Sequence, residues 1–88
     1  MDWTVQIGPD VSGKCDGLFH SPTVTFLLTL ITGDPKQTYA WFSATEDRLW
    51  TPIPNNEEFP ISVPGIGWLA WKYDAPPGVS FKLFMHRP

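Results

Sequence analysis

Proline and glycine interrupt this chain so often that a long helix is not expected. Its 88 residues include ten prolines and seven glycines, at intervals of about 8–12 residues, which is the spacing of turns in an all-β sandwich or barrel. No window keeps helical periodicity for three turns, and Ser43–Leu49 would form one helical turn at most. Residues 1–88 are therefore predicted to be a single all-β domain.

The predicted architecture is an antiparallel two-sheet sandwich of about seven short strands, Ig-like in the broad sense. The paired cysteines and the tryptophan between them that mark true Ig domains are absent, so the likeness concerns architecture alone. A small jelly roll or a small barrel is the alternative.

Alternating apolar and polar residues identify the strands between the turns. Five segments alternate: Trp3–Ile7, Thr23–Thr32, Gln37–Ala44, Ile66–Tyr73 and Val79–Met85. Leu49–Pro54 and Phe59–Val63 contain prolines and are predicted to be edge strands or extended connections, because proline cannot donate to a ladder. Turns at residues 33–36 and 74–78 predict two antiparallel hairpins, and residues 10–17 are predicted to form a polar loop.

Several of these strands carry large apolar side chains on both faces, although a small two-layer domain needs bulk on only one. Successive side chains of a strand point to opposite sides. Because charged groups favour solvent, Lys72 places Trp68 outside and Trp71 inside. By the same argument, Phe84 lies outside beside Lys82.

The outward residues predict an interface. Trp3 and Trp41 are assigned to the core. The assignment of Trp41 leaves Phe42 outside, although this choice could be reversed. If the three strands share one sheet, Phe42, Trp68 and Phe84 form one aromatic patch, and such patches mark interaction sites. Leu27 and Ile31 give the other sheet a smaller outward apolar stripe. The predicted interface comprises Phe42, Trp68, Phe84, Lys72, Lys82, Leu27 and Ile31, with His86 at the rim of the patch.

Composition argues against several classes of partner. The net charge is −3 and the six Lys and Arg residues are scattered, so the electrostatic signature of a nucleic-acid or membrane-surface protein is missing. Phe26–Ile31, the longest apolar stretch, falls far short of the ~20 residues that span a bilayer. The first residues do not resemble a signal peptide, so synthesis and folding in the cytoplasm are expected.

No residue pattern predicts catalysis or a cofactor. Cys15 is the only cysteine, which excludes an intramolecular disulfide. Cys15, His20 and His86 lack the spacing of a zinc site, and no nucleophile motif is present. We therefore expect no enzyme, no metal and no cofactor.

Three functions remain compatible with the sequence. The first is a structural subunit that assembles with itself or with other proteins, such as a capsid decoration (cement) or tail accessory protein of a phage virion. The second is a carbohydrate-binding module with Trp50, Trp68 and Phe84 as its platform. The third is a small inhibitor or adaptor of a host protein.

Overall fold

A computed structural model describes residues 2–8, 11–18, 23–44, 49–62 and 68–86, with backbone only at residues 2, 3, 11–18 and 68. The strands are β1 (Asp2–Ile7), β2 (Val11–Leu18), β3 (Thr23–Thr32), β4 (Ala40–Ser43), β5 (Thr51–Pro52), β6 (Glu58–Ser62), β7 (Trp68–Ala75) and β8 (Ser80–His86). The described ranges contain no helix, and hence none that could cross a membrane. The all-β prediction is confirmed.

The strands form two four-stranded sheets, each antiparallel throughout. Sheet A has the order β1-β8-β3-β6, and sheet B has the order β2-β7-β4-β5. Strand β1 pairs with β8, β2 with β7, β3 with β6 and β4 with β5. The chain is thus one long hairpin rolled upon itself, which is the strand order of a jelly roll. The two-sheet arrangement is confirmed, whereas an Ig-like strand order is not found.

Side chains from the inner faces of both sheets form the core. Sheet A contributes Ile7, Val24, Phe26, Leu28, Phe81, Leu83 and Met85, and sheet B contributes Ala40, Leu69, Trp71 and Ala75. The strand periodicity predicted these inner faces for β3 and β8, and the inward placement of Trp71 is confirmed. The prediction for Trp3 lies outside the described side chains, and residues 45–48 of the possible helical turn lie outside the described residues.

The turn after β3 is confirmed, but the hairpin predicted from it is wrong. Gly33 has a φ of 142°, and the Lys36 N–H donates to Asp34 Oδ1 at 2.9 Å. Buried Tyr39 follows, and its hydroxyl accepts a hydrogen bond from the Asp34 N–H at 2.9 Å. The chain thereby crosses from sheet A to sheet B, so β4 pairs with β7 instead of β3. Local turn chemistry reverses the chain without deciding which sheet receives the next strand.

The second predicted hairpin is wrong for the same reason. Gly78 has a φ of 87° and the Val79 N–H donates to the Pro76 carbonyl at 3.0 Å, which confirms a turn. Its flanking residues Ala75 and Val79 are buried. Strand β7 belongs to sheet B and β8 to sheet A, so this turn also connects the two layers.

The predicted polar loop at residues 10–17 is a strand for most of its length. Strand β2 pairs with β7 from Val11 to Leu18. Its sequence, VSGKCDGL, alternates only weakly, because two glycines occupy the positions between Val11 and Cys15 and after Cys15, while Ser12, Lys14 and Asp16 are polar. The glycine and polar content therefore favoured a loop. The long neighbouring strand β7 supplies the hydrogen-bonding partner that makes this segment a strand.

The prolines of the two remaining strands are placed as predicted. Strands β5 and β6 are the outer strands of sheets B and A. Pro52 and Pro60 therefore lie in edge strands, where a missing N–H is tolerated.

Candidate interaction surfaces

Phe42 faces the core, so its predicted outward placement is wrong. Its ring centroid lies 6.0 Å from that of Phe26 and 5.5 Å from that of Phe59, both in sheet A. Phe42 is opposite Trp71 in the ladder between β4 and β7, and cross-strand neighbours share a face. The pairing of β4 with β7 therefore determines which side chains of β4 face the core.

The predicted aromatic patch is not one surface. Phe84 lies on the outer face of sheet A, whereas β4 and β7 belong to sheet B. Trp68 pairs through its backbone with Leu18, and its side chain lies outside the described residues. The patch depended on β4, β7 and β8 sharing a sheet, which the crossing of the chain after β7 prevents.

Sheet A instead brings Phe84 next to Leu27. These residues are direct cross-strand partners on β8 and β3, and both side chains are half-buried. They form the floor of a depression of about 250 Å³, which we call the sheet A groove; its lining residues are Thr25, Leu27, Glu58, Phe84 and His86. An apolar floor between an acidic residue and a histidine suits a partner side chain that is largely apolar.

Two further predicted interface residues lie on sheet A. Lys82 is exposed one row from the groove, opposite Thr29 of β3. Ile31 is 49% exposed and lies at the irregularity in the pairing of β3 with β8. Leu27 and Ile31 were predicted on the sheet opposite Phe84, and that separation is wrong, because β3 and β8 are neighbours.

The outer face of sheet B carries a cluster that the sequence did not reveal, and we call it the Trp–Lys cluster. The Lys72 Nζ lies 5.2 Å from the ring centroid of Trp41 and 4.8 Å from that of Trp50. All three side chains are half-buried. An ammonium group over the face of an indole is attracted by the ring quadrupole. The outward placement of Lys72 is confirmed, whereas the assignment of Trp41 to the core is wrong.

The register explains why this cluster was missed. Trp41 is opposite Lys72 in the ladder between β4 and β7, so the two must share a face. The sequence showed that Lys72 faces solvent but carried no sign that β4 was its neighbour. Trp50 comes from the connection before β5, whose alternation is disrupted by Pro52 and Pro54.

A larger cleft of about 650 Å³ lies between the turn at residues 35–38 and the segment at residues 51–59. Asn55 lines this cleft. Its Nδ2 donates hydrogen bonds to the carbonyl of Pro35 at 3.1 Å and to the carbonyl of Gln37 at 2.7 Å. Asn56, with a φ of 62°, ties the same segment to β3. These bonds hold the connection between β5 and β6 against sheet A, so the asparagines have a structural role.

In the described part of the chain, no site is identified by a cluster of metal-ligating residues or by similarity to a known protein. Within it, no three His, Cys, Asp or Glu side chains are close enough to hold a metal ion. No protein-family model matches this sequence, and no match was found among curated proteins or solved structures. The candidate sites therefore follow from the geometry of the two outer faces alone.

Proposed function

We propose that this protein is a non-enzymatic structural subunit that acts through protein–protein contacts, such as a capsid decoration or tail accessory protein of a phage virion. The observation that carries the proposal is the Leu27–Phe84 pair at the floor of the sheet A groove. The jelly-roll strand order adds an analogy, since this architecture occurs in viral capsid proteins, although a fold alone does not specify a function.

The mechanism is burial of apolar surface between subunits. A partner side chain in the groove removes Leu27 and Phe84 from water, and each Å² of buried apolar surface contributes about 25 cal/mol. Glu58 and His86 at the rim fix the orientation of the partner through polar contacts. Exposed Lys82 supplies a cation one row away, and rim charges of this kind act mainly on specificity and on the association rate.

The test is the size of the native particle that contains this protein. Density-gradient sedimentation of the source extract, followed by immunodetection, is expected to place it in a particle far larger than the 9.9 kDa chain. The variant Phe84→Ser is expected to leave that particle, because it replaces the apolar floor of the groove with a hydroxyl group.

Leu49→Ser is the matched control, since Leu49 is 67% exposed and lies outside the groove. It removes a comparable apolar side chain and is expected to leave the association intact. A wild-type protein that sediments free of any larger assembly contradicts the proposal. So does a Phe84→Ser variant that remains in the particle as fully as Leu49→Ser.

A second candidate function, carbohydrate binding, is favoured by the Trp–Lys cluster. Indole rings stack on sugar rings, and an ammonium group can donate to hydroxyl or carboxylate oxygens. The platform predicted from Trp50, Trp68 and Phe84 is wrong, since Phe84 belongs to the other sheet. Trp50 and Trp41 replace it as the candidate pair on sheet B.

Tryptophan emission titrated with a panel of glycans tests this function. A ligand is expected to shift the emission of the wild type, and the shift is expected to disappear in Trp41→Ala while persisting in Phe84→Ala. The absence of a shift with every glycan in the panel argues against carbohydrate binding.

A further inference from the structure

The four edge strands of the sandwich differ in how well they are protected against pairing with another strand. Natural edges are blunted by short length, by proline and by lysine. Strand β5 has two residues, one of which is Pro52, and β6 contains Pro60. Strand β2 contains Lys14. Strand β1 has six residues with neither proline nor lysine, so it is the least protected of the described edges.

The hydrogen bonds around Asn56 reveal the direction of the main-chain groups in sheet A. The Asn56 N–H donates to the Leu28 carbonyl at 2.6 Å, and the Leu30 N–H donates to Asn56 Oδ1 at 2.9 Å. Leu28 and Leu30 therefore direct their main-chain groups toward the β6 side. Successive residues of a strand alternate in this direction, so Leu27 directs its groups toward β8.

The same alternation continues across β8 to β1, which has no second neighbouring strand in the described part of the chain. Leu27 is opposite Phe84. Because the N–H and C=O groups of Leu27 point toward β8, these two residues form a hydrogen-bonded pair. The groups of Phe84 therefore point away from β1, where its partner is Thr4. Thr4 must then direct its N–H and C=O outward, away from β8. Asp2 and Gln6 are each two positions from Thr4 along the strand, so their N–H and C=O groups also point outward.

The opposite edge of sheet A follows the same rule with a different result. Pro60 is opposite Thr25, which shares the parity of Leu27 and directs its groups toward β8. The nitrogen of Pro60 therefore faces outward from β6, where its missing N–H leaves the ladder to β3 intact. The outer edge of β6 consequently lacks a donor at its middle position, whereas the edge of β1 has all three.

The outward groups of β1 are self-complementary. When two copies lie antiparallel with Thr4 opposite the partner's Thr4, Asp2 lies opposite the partner's Gln6. All three outward-facing residues then form hydrogen-bonded pairs at once, and no like charges are opposed. In this register, even-numbered positions of β1 lie opposite even-numbered positions of the partner. The outer faces of sheet A in the two subunits therefore lie on the same side of the continued sheet.

We propose that strand β1 pairs with β1 of a second copy around a two-fold axis at Thr4, so that sheet A continues from one subunit into the next. The inference rests on the proposed assembly function and names one partner for it. The resulting dimer is isologous, with the same strand contributed by both subunits. It also places two sheet A grooves on one continuous face.

The variant Thr4→Pro tests the edge directly. It removes an N–H that the ladder between β1 and β8 does not use, and proline is tolerated at such edge positions. Light scattering is expected to give twice the chain mass of 9.9 kDa for the wild type and 9.9 kDa for Thr4→Pro. Ser62→Pro makes the same change at the outer edge of β6 and is expected to remain dimeric. Far-UV circular dichroism and thermal unfolding verify that both variants fold.

A cross-linking experiment tests the register without depending on proline. In a Cys15→Ser background, Thr4→Cys places two thiols opposite each other at a hydrogen-bonded pair, whose Cα separation of about 5.5 Å suits a disulfide. Oxidation is expected to cross-link Thr4→Cys subunits efficiently. Gln6→Cys is expected to cross-link poorly, because position 6 lies opposite position 2.

The outcomes separate this inference from the proposed function. A monomeric wild type, a dimeric Thr4→Pro variant or equal cross-linking at positions 4 and 6 overturns the edge pairing. If the protein nevertheless sediments with a large particle through Phe84, the assembly function stands. A dimer that depends on Thr4 but sediments free of any larger particle supports the edge pairing and contradicts the proposed function.

Discussion

The two outer faces of this sandwich both carry large apolar side chains, but they use them differently. On sheet B, Trp41 and Trp50 are engaged by Lys72 of the same chain. On sheet A, Leu27 and Phe84 are cross-strand partners that line a groove. Among the described residues, the apolar surface of sheet B is thus partly covered by a side chain of the same chain, whereas Leu27 and Phe84 of sheet A line a groove. Outward apolar bulk alone therefore does not identify an interface.

The largest expected effect separates the inner from the outer phenylalanine. Phe42→Ala removes a ring that packs on Phe26 and Phe59, and is expected to lower the free energy of unfolding by about 3 kcal/mol. Phe84→Ala is expected to cost less than about 1 kcal/mol, because its half-buried side chain lies on an outer face of the sheet. Urea denaturation of both variants measures the difference. Equal losses would show that sheet A packs Phe84 as tightly as the core packs Phe42.

A smaller effect is expected when the cation is removed from sheet B. Lys72→Met keeps an unbranched apolar stem but removes the charge between two indole rings, and is expected to cost about 1 kcal/mol. It should also shift the tryptophan emission, because Trp41 and Trp50 lose their charged neighbour. Lys82→Met on sheet A is the control, since Lys82 is exposed. If the two lysine variants are equally stable, the Trp–Lys cluster contributes nothing measurable.

The smallest expected change in stability comes from the groove itself. Leu27→Thr places a β-branched residue in a central strand, so we expect a loss in unfolding free energy of at most about 1 kcal/mol. Association with the larger particle is nevertheless expected to fall, because half of the apolar floor is removed. Sedimentation and urea denaturation of the same variant check both points. A large stability loss without a loss of association would make Leu27 a structural residue.

The connection around Asn56 offers a stability test that is independent of both faces. Asn56 has a φ of 62°, a conformation in which glycine is strain-free and alanine is not. Asn56→Ala and Asn56→Gly both lose the bond to the Leu30 N–H, so we expect backbone strain alone to make Asn56→Ala the less stable of the two. The difference between the thermal unfolding midpoints of the two variants measures the contribution of backbone strain. Equal midpoints would show that alanine is not strained at position 56.

Much of the local structure could be predicted from the sequence. The alternation of β3 and β8 identified Val24, Phe26, Phe81 and Leu83 as inward residues, and all four are buried. The prolines located the edge strands, and the glycines located the turns. Strand β2 was missed, since its two glycines leave only a weak alternation among polar residues, and its pairing with β7 is what identifies it as a strand.

The candidate surfaces were less predictable, because they depend on which strands are neighbours. The sequence placed Phe84 and Leu27 outside correctly but on different sheets, whereas the structure makes them direct partners. It also exchanged the faces of Trp41 and Phe42. Strand β4 contains no charged residue that would mark its solvent-exposed face. The choice between Trp41 and Phe42 as the inward residue therefore follows only from the register of β4 with β7.

By itself, the sequence determined the all-β class, the positions of the turns and the inward face of the two most regular strands, because side-chain alternation and turn chemistry are local properties. The tertiary structure decided which sheet each strand joins, which face of β4 is buried and which apolar residues meet outside. Those choices follow from strand pairing between residues far apart in the chain, and a turn that reverses the backbone is compatible with pairing within one sheet or with crossing to the other.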